Sequence, residues 1–526
     1  MILITSAAYV DPEFRNEFGL LPPAFLPLGN QRLFEHQIKI LSETFPEEKI
    51  YISLPSSYRV NKKDLNRLIS LGVQTIEIDE NITLSSSIFR AIQQLDLDCS
   101  SLRILHGDTL LGSIPQCFDL IAVADTYEDY QWEIEDTNLT SELIWCGYFS
   151  FSDIEWLQQC FSEPMITFVQ AIKKYAQQKP MERVHVESWS DFGHINTYFQ
   201  SRTKITTERT FNSLRIKDGC VYKTGDHEFK INAEAAWFKQ LPPSLRLYCP
   251  QLIDFGINEL GKPFYALEYL AIPPLNEIYV HGSNPVFYWN KIFRLCMNFL
   301  NTCQTRFITP EMAEKIKFRH SHLIEGKTIF RVEEFIAENQ EFGWDTTLNV
   351  NGAPNVTLRE ILDNCLNLSK DIPAIPGLFH GDFCLSNILF DSRADRIKVI
   401  DPRGLDGLGE ESILGDLSYD VAKLTHSIIG LYDYIIAGAY RLDVSFELNT
   451  FTASLSIHID DRIVEIQELF LRGNYFRVIT PVDVMPSVVL LFLSMLPLHA
   501  ENKSRQLALF ANALRIYNLY VKDKVK

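Results

Sequence analysis

The residues most able to do chemistry fall in one stretch, 378–404, which reads LFHGDFCLSNILFDSRADRIKVIDPRG. It presents His380, Asp382, Asn387 and Asp401. Asp382 and Asn387 are five residues apart, and Asp401 lies fourteen beyond Asn387. Phosphoryl transfer to a hydroxyl needs such a set: one carboxylate to orient or deprotonate the hydroxyl, and a carboxamide with a second carboxylate to hold magnesium on the nucleotide phosphates. Magnesium takes oxygen ligands, and one or two carboxylates suffice when phosphates and water complete its shell. Local patterning says how these groups are carried. The run 396–400 predicts a strand ending at Asp401, preceded by a loop, a helical turn and a first strand. A plain reading of His380-Gly381-Asp382 and Asp401-Pro402 as turns competes with this. The apolar strand running straight into Asp401 favours the catalytic reading, because it fixes a carboxylate at a strand end.

HGDFCLSNILF followed by IKVIDPRG resembles the catalytic and metal loops of the aminoglycoside phosphotransferase and choline kinase family, small-molecule kinases with a protein-kinase-like fold. The resemblance implies Asp382 as catalytic base and Asn387 and Asp401 as magnesium ligands. DPRG stands where protein kinases carry Asp-Phe-Gly. Upstream, Asp218-Gly219 between two short alternating runs predicts a hairpin. Lys223 ends its second strand, and Glu234 lies in the first turn of a helix expected from Ala233. A lysine paired with a helical glutamate aims an amine at the α- and β-phosphates in this fold. Lys223 and Glu234 are therefore the nucleotide-binding candidates, with Lys230 a rival to Lys223. By resemblance, 263–275 is the hinge between lobes, where backbone groups from Glu268 to Leu270 meet the adenine. No glycine-rich phosphate loop precedes Leu214. Asp416 and Asp420 read as support for the catalytic loop. C-terminal helices of the family line the acceptor pocket, which makes Arg319, His320 and His499 substrate candidates; Arg403, two residues after Asp401, is another. Each of these also reads as an ordinary surface or hydrogen-bonded group.

The first 200 residues alternate strands and helices. MILITSA, KIYISLP, VQTIEID and SLRILHGD read as strands, with helices over 30–45, 63–71 and 85–95. Such alternation predicts a mostly parallel sheet covered on both faces, with ligands at the carboxyl ends of strands. Asp108 falls at one such end. LPPAFLPLGNQRLFEHQIKIL, HGDTL, SELIWCGYFSFS and SWSDFGHINTYFQS resemble segments of sugar-phosphate nucleotidyltransferases of glycosyltransferase-A-like fold. The resemblance implies that Asp108 and Asp191 hold a divalent metal bridging a nucleotide diphosphate. Two departures stand out. That family opens with a glycine-rich, arginine-containing loop, whereas SAAYVDPEFRNEFG has no early glycine and carries Asp11, Glu13 and Glu17 beside Arg15. Pro23 stands where the family has a lysine. A site missing both cationic groups stabilises a pyrophosphate leaving group poorly. Three readings follow: an active nucleotidyltransferase with a divergent loop, a domain that binds nucleotide or sugar without turnover, and a structural remnant.

At 526 residues the chain is too long for one ordinary core. The polar stretch SRTKITTER, 201–209, marks the expected boundary. It gives a nucleotidyltransferase-like domain at 1–202, a kinase N-lobe at 203–273 and a kinase C-lobe with a helical acceptor-binding region at 274–526. The expected fold class is α/β plus α+β: a Rossmann-like nucleotidyltransferase fold, then a two-lobe kinase-like fold. Forty-nine basic against 67 acidic residues, a net charge of −18, argue against nucleic acid and anionic membranes as partners. Ten cysteines without a CxxC pair fit a reduced, cytoplasmic protein. The N-terminus lacks the basic region of a signal peptide. The most apolar run, 484–498, is too short to span a bilayer and reads as a buried helix.

The expectation is a bifunctional enzyme. ATP and magnesium phosphorylate a small hydroxylated molecule, a sugar or an amino alcohol. A second nucleoside triphosphate (CTP, UTP or dTTP) then nucleotidylates the product. By family analogy this serves surface or capsular polysaccharide synthesis. The alternative keeps the kinase and makes the first domain a non-catalytic binder of nucleotide or sugar. A cationic alcohol would want an aromatic or acidic pocket and a sugar a polar net; composition does not choose between them. Oligomeric state is not legible.

Overall fold

In the computed structural model, which describes residues 1–95, 100–126, 133–137, 142–204, 212–304 and 308–525, the chain divides into two units. One is Met1–Ile205 with His281–Asn284, and the other Thr206–Val280 with Pro285–Lys526. Ser141, which opens SELIWCGYFSFS, and residues 205–209 of SRTKITTER lie outside the described residues.

The first unit is built on an eight-stranded sheet. Edge to edge it runs Glu182–His185, Leu120–Thr126, Glu142–Phe151, Leu102–His106, Ile2–Thr5, Ile50–Pro55 and Gln74–Ile78, with Ile134–Thr137 also paired to Glu142–Phe151. Ile2–Thr5 is parallel to both its neighbours, and Gln74–Ile78 continues parallel beyond Ile50–Pro55. Glu142–Phe151 runs antiparallel between Leu102–His106 and Leu120–Thr126. Side chains alternate across the pleat. Leu3, Ile76, Ile104 and Phe149 therefore join one core, while Ile2, Ile4, Ile52 and Leu105 join another. Helices Leu84–Gln94, Ile154–Phe161 and Phe168–Gln178 cover the first face, and Leu33–Thr44 and Lys62–Ser70 the second. IYISLP is buried throughout, as a strand covered on both faces requires. The helix expected from residue 30 begins at Leu33, because Gln31–Arg32 pairs with Pro27–Leu28 instead. This is the α/β arrangement expected, and it sets Asp108 just past the carboxyl end of Leu102–His106.

The second unit opens with a four-stranded antiparallel sheet in the order Asn212–Lys217, Cys220–Gly225, Pro263–Glu268, Leu252–Ile257. The turn at Asp218-Gly219 has φ of +50° and +72°, the pair of left-handed residues that a two-residue hairpin needs. The helix carrying Glu234 spans Glu228–Gln240 and so starts earlier than the alanine run suggests. Asp226 and Glu228 sit at its start, where acidic groups suit the helix dipole. The rest is mainly helical: Val286–Cys303, Pro310–Ser321, Lys327–Glu338, Leu358–Ser369, Leu417–Ile428, Met485–Met495 and Lys503–Ile516. A sheet followed by a helical region is the two-lobe α+β arrangement expected. Met485–Met495 is buried along all but its last residue. A second sheet, made by Val356–Thr357, Thr347–Val350, Thr450–Ile457 and Tyr440–Glu447, was not anticipated. Its signal was the alternation that buries Phe451, Ala453 and Leu455. Among the described residues, no helix is long and apolar enough to cross a membrane.

Candidate active site

The hairpin of Ile388–Asp391 and Arg396–Val399 organises the second unit's site. Asn387 directly precedes the first strand, and Asp401 follows the second. Ile388 pairs with Val399, and the Ile400 amide donates to the Asn387 carbonyl at 3.0 Å. Strand pairing thus closes the fourteen-residue gap. Asn387 Nδ2 donates to the Asp382 carbonyl and to Asp382 Oδ2, both at 3.0 Å. That fixes the carboxamide and leaves its Oδ1, 3.4 Å from Ser386 Oγ, as the atom suited to a cation. Asp401 takes φ +54°, which costs a non-glycine residue about 1 kcal/mol and persists only where the surroundings impose it. Asn387 and Asp401 offer the oxygen donors that magnesium takes. Among the described residues no three His, Cys, Asp or Glu side chains group as a metal site, so such an ion would need phosphate or water oxygens as well.

Lys223 is buried on Cys220–Gly225. Its Nζ lies 2.6 Å from Glu234 Oε2 and 3.2 Å from Asp401 Oδ1. Tyr265 Oη donates to the same Glu234 oxygen at 2.9 Å. Burial alone would lower the Lys223 pKa, but Asp401 and Glu234 outweigh it and raise it, so the amine stays charged. Lys230 is exposed and reaches Glu234 only at 4.0 Å, so Lys223 is the lysine joined to Asp401. Gly404, at φ +64°, lies against the helix that carries Glu234. A Cβ there would fall 2.3 Å from the Ala233 carbonyl oxygen.

Asp382 Oδ1 lies 2.8 Å from Lys423 Nζ. Burial opposes ionisation of Asp382, but Lys423 outweighs it and holds the carboxyl well below the usual carboxylate range. About 40% of the Asp382 side chain stays open, so a hydroxyl can reach it. The loop is held from below. Asp420 accepts from the His380 and Gly381 amides at 2.9 and 2.8 Å, and burial pushes its carboxyl up to about 7. His380 Nε2 lies 3.0 Å from the Ile400 carbonyl, and its Nδ1 accepts from the Asp382 amide at 3.2 Å. These partners require the proton on Nε2. Burial pushes the ring down to about 4, so His380 is a neutral brace. Asp416 accepts from the Ile375 and Ser418 amides.

The remaining candidates lie on other segments of the second unit. Glu268 ends its strand paired with Cys220, and the Leu270 carbonyl accepts from Ile272. Arg319 is paired with Asp406 and Glu410, and His320 faces Asp416 at 4.0 Å. Both brace the segment after DPRG. His499 is buried, its Nε2 3.5 Å from Tyr432 Oη. Arg403 runs alongside Gly381: a Cβ on Gly381 would meet Arg403 Cβ at 2.6 Å. Sequence reasoning missed Lys423, whose signal was its place one turn beyond Asp420.

In the first unit a cavity of about 430 Å³ is lined by residues of the first loop, Ser6 to Asp11, and by Pro23, Asp108, Trp145, Asp191 and His194 among others. Thr109–Leu111 pairs with Trp189–Asp191, and the Phe192 amide donates to the Asp108 carbonyl at 2.8 Å. The two carboxylates converge: a Cβ on Gly193 would lie 3.1 Å from Asp108 Oδ2 and 3.2 Å from Asp191 Oδ1. Burial and then Asp191 push Asp108 up to about 6. A divalent cation would relieve that repulsion. No lysine or arginine is among the described residues lining the cavity. Arg15 is exposed on Pro12–Phe18 and does not line it.

No protein-family model and no curated protein matches the chain. Solved structures do. The nucleoside-diphosphate-sugar pyrophosphorylase from Vibrio cholerae RC9 is 15% identical, covering 38% of this chain and 99% of its own, with a TM-score of 0.31. A putative glucose-1-phosphate thymidylyltransferase from Bacillus anthracis is 10% identical, covering 40% and 97%, with a TM-score of 0.31. Aminoglycoside 2'-phosphotransferase-IIIa in its GDP complex is 14% identical, covering 59% and 90%, with a TM-score of 0.36. The chain joins a part similar to sugar nucleotidyltransferases and a part similar to an aminoglycoside phosphotransferase.

Proposed function

We propose that residues 203–526 form an ATP- and magnesium-dependent kinase of a small hydroxylated molecule, with an N-lobe at 203–273 and a C-lobe at 274–526. The observation that carries this is the meeting of Asp382, Asn387 and Asp401 at one hairpin end, with Lys223 bridging Asp401 and Glu234. Asp382 accepts the hydrogen bond of the acceptor hydroxyl and takes its proton as the oxygen attacks the γ-phosphorus. Lys423 keeps Asp382 ionised for that task. Lys223, aimed by Glu234, steadies the α- and β-phosphates, and backbone groups from Glu268 to Leu270 receive the base. Asn387 and Asp401 would hold magnesium, which when bound neutralises phosphate charge. The test is magnesium-dependent ADP formation over a panel of sugars, sugar and polyol phosphates, hydroxy acids, amino sugars and amino alcohols. Asp382→Ala should lower it about a hundredfold or more; unchanged consumption of ATP would sink the assignment.

Of the three readings of residues 1–202, two assign a function. In the first, Asp108 and Asp191 hold a divalent ion and the domain nucleotidylates the phosphorylated product, releasing pyrophosphate. Fusion of the modules then serves consecutive steps towards a nucleotide-activated precursor, as in capsular polysaccharide synthesis in the cytoplasm. In the second, the domain binds nucleotide or sugar without turnover. The cavity lined by Asp11, Asp108 and Asp191, with no lysine or arginine among its described lining residues, favours the second, because a leaving pyrophosphate needs positive charge. Pyrophosphate release from CTP, UTP or dTTP, lost in Asp108→Ala, would establish the first. Its absence from the intact protein with every nucleoside triphosphate would leave the second.

A further inference from the structure

The acceptor side of Asp382 is more basic than a kinase of neutral or cationic alcohols requires. Lys423 occupies one Asp382 oxygen. Arg403 passes over Gly381, its backbone amide bonded to the His380 carbonyl at 2.8 Å. Its Nε donates to the Leu405 carbonyl at 3.0 Å, and its terminal nitrogens have no hydrogen bond or ion pair among the described residues. Lys327 and Arg331 stand one turn apart on Lys327–Glu338 and so share a face. Arg331 donates to the Ser494 carbonyl at 2.8 Å and makes no ion pair among the described residues. Lys327 makes no hydrogen bond or ion pair among the described residues. A π-helical turn, His322–Gly326, ends directly before it; such turns recur at functional sites. Arg403 and Lys423 flank the loop that carries Asp382, and Lys327 and Arg331 present one helix face. Burial, then Arg403, Arg331 and Lys423, push the Lys327 ammonium well below the ordinary lysine range, with Asp382 opposing. Glu334, exposed on the same helix, offsets part of Arg331.

Among the described residues these three half-buried cations make no ion pair with a carboxylate, so an anion placed between them would gain charge-assisted hydrogen bonds. Resting on the kinase reading above, we infer that the acceptor carries an anionic group, a phosphate or carboxylate, held by Lys327, Arg331 and Arg403 while its hydroxyl faces Asp382. An amino alcohol would meet like charge there. The acceptor class is therefore a sugar phosphate, polyol phosphate or hydroxy acid.

The test is calorimetric binding to the full-length chain of matched pairs: glucose 6-phosphate against glucose, and glycerol 3-phosphate and glycerate against glycerol, with choline and ethanolamine as cationic controls. The anionic member of at least one pair should bind about tenfold tighter or more, as charge-assisted hydrogen bonds imply. Lys327→Gln or Arg331→Gln should weaken it about tenfold, and Lys327→Arg should keep most of the affinity. No preference for any anionic member, or tightest binding of a cationic control, would overturn the inference. So would a Lys327→Gln effect confined to the KM for ATP, which would assign these charges to the nucleotide. The kinase reading is judged separately by Asp382→Ala and ADP formation. Anion binding with Asp382-independent ATP consumption would topple the kinase alone, whereas Asp382-dependent ADP formation with a neutral preference would topple only the anionic acceptor.

Discussion

Lys423 holds the charge of Asp382, which we propose as the base. With its ammonium 2.8 Å from Asp382 Oδ1, the carboxyl stays ionised despite its surroundings. Removing the cation weakens the acid, so a larger share of Asp382 is protonated at a given pH. Lys423→Met should therefore move the acid limb of the pH–rate profile upward and cost most activity at low pH; an unmoved limb would show that Lys423 does not set this charge. At this scale the sequence was informative where chemistry is local. Asp382, Asn387 and Asp401 sit in one motif, and Lys223 and Glu234 in one hairpin-helix unit. It was silent where partners are far apart. Arg319 looked available to a substrate, but Asp406 and Glu410 hold it across a long sequence gap. Lys327 and Arg331 carry no signature on their own, and Lys423 has only its place one turn beyond Asp420; folding sets its ammonium against Asp382.

Elements fix these groups through close contacts that few substitutions tolerate. Gly404 lets the segment after Asp401 lie on the helix Glu228–Gln240. Gly404→Ala combines a left-handed φ with a Cβ 2.3 Å from a carbonyl oxygen, and should destabilise the second unit by about 2 kcal/mol or more in urea unfolding. A variant as stable as the parent would contradict that packing. Asp433, on the helix Tyr432–Ile436, gives a pH-dependent counterpart. Burial pushes its carboxyl up to about 7, against about 4 in an unfolded chain. Between these values the folded state holds the extra proton, so this group's contribution falls as pH rises from about 4 to about 7 and then levels. Asp433→Asn removes that slope. Its stability relative to the parent should improve across the same window, by at most a few kcal/mol; an opposite trend would refute the assignment. The parallel sheet and the Asp218-Gly219 hairpin were legible because apolar period and turn chemistry are local properties. The sheet containing Tyr440–Glu447 and Thr450–Ile457 was legible only in its second strand, which alternates, since its first is largely exposed and shows no buried alternation.

Across the whole chain, a net charge of −18 coexists with Lys327, Arg331, Arg403 and Lys423 in the second unit and with a cavity lined by Asp11, Asp108 and Asp191 in the first. Overall composition averages these away, which is why it could not choose an acceptor. The departures in the first loop did foreshadow the cavity: no early glycine and Pro23 in place of a lysine are matched by the absence of lysine and arginine among its described lining residues. The central claim is phosphoryl transfer by the second unit. The most direct measurement follows label from γ-³²P-ATP into a small-molecule ester, with the intact protein and with Asp382→Asn. The account predicts a magnesium-dependent labelled ester from the parent, and a loss of about a hundredfold or more in the variant. Equal ester formation by both, or label released only as inorganic phosphate whatever the acceptor, would contradict it.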